Sequence, residues 1–296
     1  MSGFGGQTMV GALRRVLVCA PEAAGWMAAS RNFGRLGRWH ELGYQHQPDP
    51  RAAQVQHDAL RRELEAVGAE VLCFEPSDEF SLDAVYVHDP SFLTNRGAIL
   101  LRMGKACRMD EPAAHARAYS SLGVPVLGEI RAPGCVEAGD LVWLDAATLL
   151  AGRGYRTNAA GIEQLRALLA PLGVMVLTAP LPHSAGPAAC LHLMSLLSLL
   201  DERTALVDLP WLAVETVELL QERRFRLIET DPAERETLAC NVLALGERRL
   251  LAFAENPRTN ARLREAGFDV CAVPGSELGI NGGGGPTCLT RPIVRD

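Results

Sequence analysis

A helix-like segment, a turn residue and a short β-prone run recur in the same order five times along this chain. No other feature narrows the possible folds as much. The first helical pattern runs from about Ala52 to Val67, with Val55, Leu60, Leu64 and Val67 on its apolar face, and stops at Gly68 before Ala69-Glu70-Val71-Leu72. The second stops at Gly123 before Val124-Pro125-Val126-Leu127. The third starts at about Asn158, carries Ile162, Leu165, Leu168, Leu169 and Leu172, and stops at Gly173 before Val174-Met175-Val176-Leu177. The fourth, from about Trp211, ends near Arg224 before Phe225-Arg226-Leu227-Ile228, and the fifth ends at Gly267 before Phe268-Asp269-Val270-Cys271. Glycine after the last apolar turn is the expected left-handed cap, and it closes four of the five units.

The stops lie about 43 to 55 residues apart, within the range of repeated supersecondary units. Between one stop and the next helix there is room for two or three strands, as in Ala84-Val85-Tyr86-Val87, Ala98-Ile99-Leu100-Leu101, Leu141-Val142-Trp143-Leu144 and Leu149-Leu150-Ala151. Each unit therefore reads as a β-rich module with one helix. Such modules stack as a line or close as a ring, and an ordinary α/β sheet would give a similar pattern.

Unusual polar residues recur at a comparable place in each unit, embedded in apolar sequence. They are Asp89 in Val87-His88-Asp89-Pro90, Glu137 in Val136-Glu137-Ala138-Gly139-Asp140, His192 in Cys190-Leu191-His192-Leu193, Asn241 after Cys240, and Cys288. A ring would gather them at one axis. Singly, each has a plainer explanation: His192 as a satisfied core histidine, Asp89 before Pro90 as the start of a turn, Glu137 and Asp140 as a charged loop. Their recurrence favours the joint reading.

Cys288 stands apart from the other seven cysteines because it follows Asn281-Gly282-Gly283-Gly284-Gly285-Pro286-Thr287. Four glycines cost conformational entropy, so a compact fold keeps them where it needs positive φ or close backbone approach. The stretch Cys288-Leu289-Thr290-Arg291-Pro292-Ile293-Val294 looks like a strand, which makes the glycines an ordered turn and not a frayed tail. The cysteines are scattered singly with no CxxC, so neither a zinc site nor a disulfide framework is indicated. Cys19, Cys73 and Cys271 lie in apolar runs and read as buried small hydrophobes.

With 48% hydrophobic residues in 296, the chain can bury a large core, and a net charge of −6 without a basic block argues against nucleic acid or an anionic membrane as partner. A small molecule fits better. No run of eighteen apolar residues occurs and the start does not resemble a signal peptide, so the expectation is a cytosolic protein. The whole of 1–296 reads as one domain, with 1–10 a candidate for disorder.

A cysteine, a histidine and two carboxylates brought together allow covalent catalysis at a trigonal carbon. Carboxylates suit a planar guanidinium, whose N–H fork matches their geometry and whose central carbon is the electrophile. At this point the residues resemble the guanidino-group-modifying enzymes, the pentein superfamily of dimethylarginine dimethylaminohydrolases, arginine deiminases and amidinotransferases. The resemblance runs from about Arg15 to Arg291. It implies an α/β propeller of five modules in pseudo-fivefold arrangement, with Cys288 as nucleophile, His192 as general acid and base, and Asp89 and Glu137 holding the guanidinium. The loops Arg102-Met103-Gly104-Lys105-Ala106-Cys107-Arg108 and Gly154-Tyr155-Arg156-Thr157-Asn158 look like the family's arginine-bearing loops, so Arg108 and Arg156 are expected to bind a substrate carboxylate. Asp83 matches a further substrate-contacting acid, and His88, Asp140 and Asn241 are counted with the substrate-binding residues. No metal or organic cofactor is implied, and the family suggests a homodimer without any residue pattern that bears on it.

The sequence also departs from its relatives. His88 stands where dimethylarginine hydrolases usually have Glu and deiminases Arg, and Ala138 stands where glycine is usual. The ending Gly282 to Cys288 looks closer to deiminases, but the chain has no room for their inserted helical domain. His192-Leu193-Met194-Ser195 looks closer to the dimethylarginine hydrolases. The reading is thus a hydrolase that cleaves a C–N bond of N-methylated arginine or arginine through a thiouronium on Cys288, giving citrulline and an amine. Deimination and amidino transfer are alternatives, the latter fitting least because the chain is short for that branch. A non-catalytic binding propeller is the alternative from another class, as in the ribosome-binding eukaryotic translation initiation factor six.

Overall fold

In the computed structural model, residues 3–27, 39–77, 80–187 and 191–296 are described. All five helical patterns form. They are α1 (Pro50–Ala66), α2 (Glu111–Ser121), α3 (Ala159–Leu169), α4 (Val214–Glu222) and α5 (Pro257–Glu265). Every expected stop lies in the left-handed region: Gly68 at φ 80°, Gly123 at 68°, Gly173 at 71° and Gly267 at 89°, with Arg224 at 61° where the fourth unit lacks its glycine. Side chains fix two of the helix starts. The Asp49 carboxylate accepts from Arg51 and Ala52 ahead of α1, and Asn158 Oδ1 accepts from Gly161 ahead of α3.

Each helix joins the middle strand of a three-stranded sheet to its parallel outer strand. In chain order the later sheets are β3 (Ser91–Thr94), β4 (Gly97–Leu100), β5 (Val126–Glu129); β6 (Leu141–Asp145), β7 (Thr148–Arg153), β8 (Met175–Pro180); β9 (Leu197–Asp201), β10 (Thr204–Val207), β11 (Arg226–Glu229); and β12 (Leu243–Gly246), β13 (Arg249–Phe253), β14 (Asp269–Val273). In each, the first pair is antiparallel and the second parallel. The first sheet takes β1 (Leu13–Val18) and β2 (Glu70–Cys73) from the start of the chain and β15 (Arg291–Arg295) from its end, with Val16 opposite Pro292 and Leu17 opposite Arg291. The last strand thus completes the first module, and the five modules form the propeller. Gly5 also bridges Val294, so the stretch 1–10 engages the closing strand from that residue.

The helices lie on the sheets, α4 against β8 of the preceding module as well as its own. Ile162, Leu165 and Leu169 of α3 pack with Leu149 and Ala151 of β7 and Val176 of β8, each large side chain contributing about 1.5–3 kcal/mol of burial. In α1 the buried face is Ala53, Gln56, His57, Leu60 and Leu64, while Val55 is 64% exposed, so the apolar face is rotated from the expected one. The first strand expected inside a module, Ala84-Val85-Tyr86-Val87, is instead a buried 3-10 turn over Leu82–Val85, opened by Ser81 accepting from the Asp83 amide. Cys19 is buried as expected, but Cys73 is exposed and Cys271 half-buried. Cys190 falls outside the described residues. Among the described residues no helix is long and apolar enough to cross a membrane.

Candidate active site

The apolar segments that follow each sheet edge turn inward and meet around a cavity of about 770 Å³. Cys288, His192, Asp89, Asp83, Arg108, Arg156 and Asn241 all line it, although they come from separate modules. Glu137, Asp140 and His88 do not reach its wall.

The glycine run has a separate cause at each position. A Cβ on Gly282 would fall 2.1 Å from the Tyr86 hydroxyl, one on Gly284 would fall 2.3 Å from the Tyr86 ring, and one on Gly285 would fall 2.5 Å from Asn241. Gly283 takes φ 84°. The run therefore lies flat on Tyr86 and delivers Cys288 beside Asn241, whose Nδ2 donates to Sγ at 3.3 Å while its Oδ1 accepts from the Thr287 amide at 3.0 Å. Cys288 sits in the turn before β15 and not in the strand itself.

His192 stands between the two acids. Its Nε2 is 2.9 Å from Glu137 Oε2 and its Nδ1 is 3.9 Å from Asp89 Oδ1. The ring lies against Gly139, where a Cβ would come within 2.4 Å of Nδ1. Glu137 is fully buried and also accepts from the Gly104 amide at 2.8 Å and from Arg156 Nε at 3.0 Å. Burial alone would raise its carboxyl, but the His192 hydrogen bond and the Arg156 charge bring it down to about 2. Burial likewise opposes ionisation of Asp89, and His192 and Arg108 outweigh it to hold the carboxyl below its usual value. Both acids are carboxylates at neutral pH.

Arg108 donates to Asp89 at 2.7 Å, to Glu111 through Nε and Nη2, and to the Tyr86 carbonyl at 2.7 Å. These internal partners occupy the group expected to meet a substrate carboxylate. Asp83 pairs with Lys105, which also donates to the Leu42 carbonyl at 2.5 Å; the other Asp83 oxygen, Oδ1, has no partner. Asp140 lies behind the site, accepting from the Leu193 amide, and burial pushes its carboxyl up to about 6. His88 turns away from the cavity. Its Nδ1 donates to the Thr290 carbonyl at 2.8 Å and its Nε2 accepts from Arg291 at 2.8 Å. Burial and the Arg291 charge keep its imidazole well below the ordinary value, hence neutral.

Sequence reasoning quoted Lys105 without a role and passed over Glu111 and Tyr86. The i, i+3 spacing of Arg108 and Glu111 was a signal for the first pair. Nothing in the sequence marks Tyr86 as the bed of a glycine run more than 190 residues away. Asp89, Glu137 and His192 each offer one ligand atom within 4.8 Å of the others, a set that could meet a cation. The cations that face these acids are guanidinium groups of the protein's own Arg108 and Arg156.

The arginine deiminase family model matches residues 208–295. The N(G),N(G)-dimethylarginine dimethylaminohydrolase of Streptomyces coelicolor is 33% identical over 221 residues, covering 75% of this chain and 78% of that protein. The chain belongs to the pentein superfamily. Within it the chain is dimethylarginine dimethylaminohydrolase-like, a guanidino-modifying hydrolase of the family that also holds the arginine deiminases. Among solved pentein structures, a cysteine-to-serine variant of the Pseudomonas aeruginosa dimethylarginine dimethylaminohydrolase complexed with citrulline superposes with a TM-score of 0.75 at 26% identity, over 95% of this chain and 99% of that one. An amidinotransferase from Microseira wollei, at 18% identity and TM-score 0.79 over 99% and 98% of the two chains, shares the fold alone.

Proposed function

We propose that this pentein is a cysteine-dependent hydrolase that cleaves a C–N bond of a free guanidino compound, an N-methylated arginine or arginine, to citrulline and an amine. One observation carries the proposal: the two acids flanking His192 already hold guanidinium groups, Arg108 on Asp89 and Arg156 on Glu137. Carboxylates that bind a planar fork from the protein suit the same fork on a substrate. Asp89 lines the cavity, and Glu137, held behind its wall by Arg156, would meet the substrate only once Arg156 moves aside.

The steps follow from the residues around the cavity. The Cys288 thiolate adds to the guanidinium carbon, and Asn241, which donates to Sγ, steadies the sulfur. His192 gives a proton to the departing amine as the C–N bond breaks, leaving a thiouronium on Cys288. It then takes a proton from water, which adds to the same carbon; the C–S bond breaks to restore the thiolate, the remaining hydroxyl proton passes to solvent, and a ureido product is released. Glu137 and Asp89 hold the imidazole in place. The reading takes residues 1–296 as one catalytic unit.

The test is mass spectrometry of products after separate incubation with arginine, monomethylarginine, asymmetric dimethylarginine and agmatine. Citrulline with methylamine or dimethylamine is the expected result. Citrulline with ammonia from arginine alone would move the protein to deimination, the reading that the family match over 208–295 favours. No product from any of them would refute the proposal.

A further inference from the structure

On the far side of the segments that carry Asp89 and Cys288 lies a second cavity, of about 30 Å³, lined by the next residues along, His88 and Thr287, with Arg291 and Arg295 of β15. Its other walls are largely apolar and include the stacked pair Phe92 and Trp143. Both arginines are buried, at 5% and 7% exposure. Their hydrogen bonds go to neutral acceptors: Arg291 Nη1 to the Ser91 carbonyl at 2.6 Å, its Nη2 to His88, and Arg295 Nη1 to the Gly11 carbonyl at 2.6 Å. Arg291 Nε has no partner. Neither guanidinium forms an ion pair with a carboxylate among the described residues, and Asp89, whose charge Arg291 feels, is already held by Arg108.

Arginine stays charged in proteins, so two like charges face one small apolar chamber. Taking a charge out of water costs several kcal/mol per ion unless a counter-charge comes with it. Burial draws Arg291 down to about 10, and burial with the Arg291 charge draws Arg295 to about 9, the direction expected of cations lacking a counter-ion. We propose that this chamber binds one small monovalent anion of the halide class between the guanidinium groups of Arg291 and Arg295. Its small volume suits a single small ion, and its apolar walls favour a weakly hydrated one. The site reaches the nucleophile through two links. Arg291 donates to His88, and His88 in turn binds the Thr290 carbonyl through its ring and the Cys288 carbonyl through its amide at 3.1 Å. An anion that fixes Arg291 therefore steadies the turn on which Cys288 stands.

The experiment is thermal unfolding of the whole chain in sodium chloride, sodium bromide and sodium gluconate at matched ionic strength, alongside Arg295→Met. Chloride and bromide are expected to raise Tm saturably by roughly 2–4 °C over gluconate, the shift a ligand at several times its Kd gives a chain of this size. Arg295→Met is expected to lose the difference between the salts. Equal Tm in halide and gluconate would overturn the proposal, as would a halide effect that survives in Arg295→Met. Should that variant fail to fold, wild-type crystals grown in bromide decide the matter: an anomalous peak between the two guanidinium groups supports the site, and its absence rejects it.

Discussion

Glu137→Gln separates two kinds of active-site acid. An acid that waits unpaired for its substrate is a strained group, and neutralising it stabilises the fold. Glu137 is instead fully buried and held by Gly104, Arg156 and His192. Its carboxyl falls from the ordinary 4.5 to about 2 in the folded protein. A shift of that size corresponds to about 3 kcal/mol of stability at pH 7, in line with the cost of breaking a buried ion pair. Because the folded value is the lower one, this contribution is complete above pH 4.5 and disappears as pH falls through about 2. Urea unfolding at pH 7 should show Glu137→Gln less stable by about 3 kcal/mol, with the gap narrowing below pH 4.5. A variant as stable as the parent at pH 7 would refute the reasoning, since Arg156 would then have lost nothing.

Other consequences can be measured in the same way. Gly284→Ala places a Cβ 2.3 Å from the Tyr86 ring, and should cost about 1–3 kcal/mol in urea unfolding together with loss of turnover, because the Cys288 turn must shift. Lys105→Met leaves the buried Asp83 carboxylate unpaired, so a double-mutant cycle with Asp83→Asn should give a coupling above roughly 0.5 kcal/mol; additive effects would deny the pair. His57 of α1 is buried with both ring nitrogens unpartnered, and burial lowers it to about 4. Its folded value lies below the unfolded 6.5, so stability is full above pH 6.5 and falls toward pH 4 by about 3 kcal/mol, a loss that His57→Leu should remove from the pH profile.

The repeat was legible because each helix stop must take a left-handed residue, and glycine marks that need in four units while Arg224 meets it without one. The residues gathered at the axis were legible because polar side chains inside apolar runs are costly unless they serve a site. What the sequence could not convey was direction. Val85 and Tyr86 belong to an apolar run that reads as a strand, but a run buried on all sides has no alternation to distinguish a strand from a turn. His88 and Asp89 are adjacent and point into different cavities, and the family resemblance, which counted both with the substrate, carried no sign of that difference. Arg108 was read as facing a ligand because the spacing that links it to Glu111 does not show that the pair is buried, and Asp83 had no visible link to Lys105 before the fold was closed.

The account rests most on Cys288 as nucleophile. The most direct test quenches the enzyme in acid during turnover of a methylated arginine and maps adducts by peptide mass spectrometry, with Cys288→Ser beside it and the exposed Cys73 and Cys107 as internal controls. The account predicts an amidino adduct on the Cys288 peptide alone, absent from Cys288→Ser along with turnover. Turnover that persists in Cys288→Ser, or an adduct on another cysteine, would contradict it.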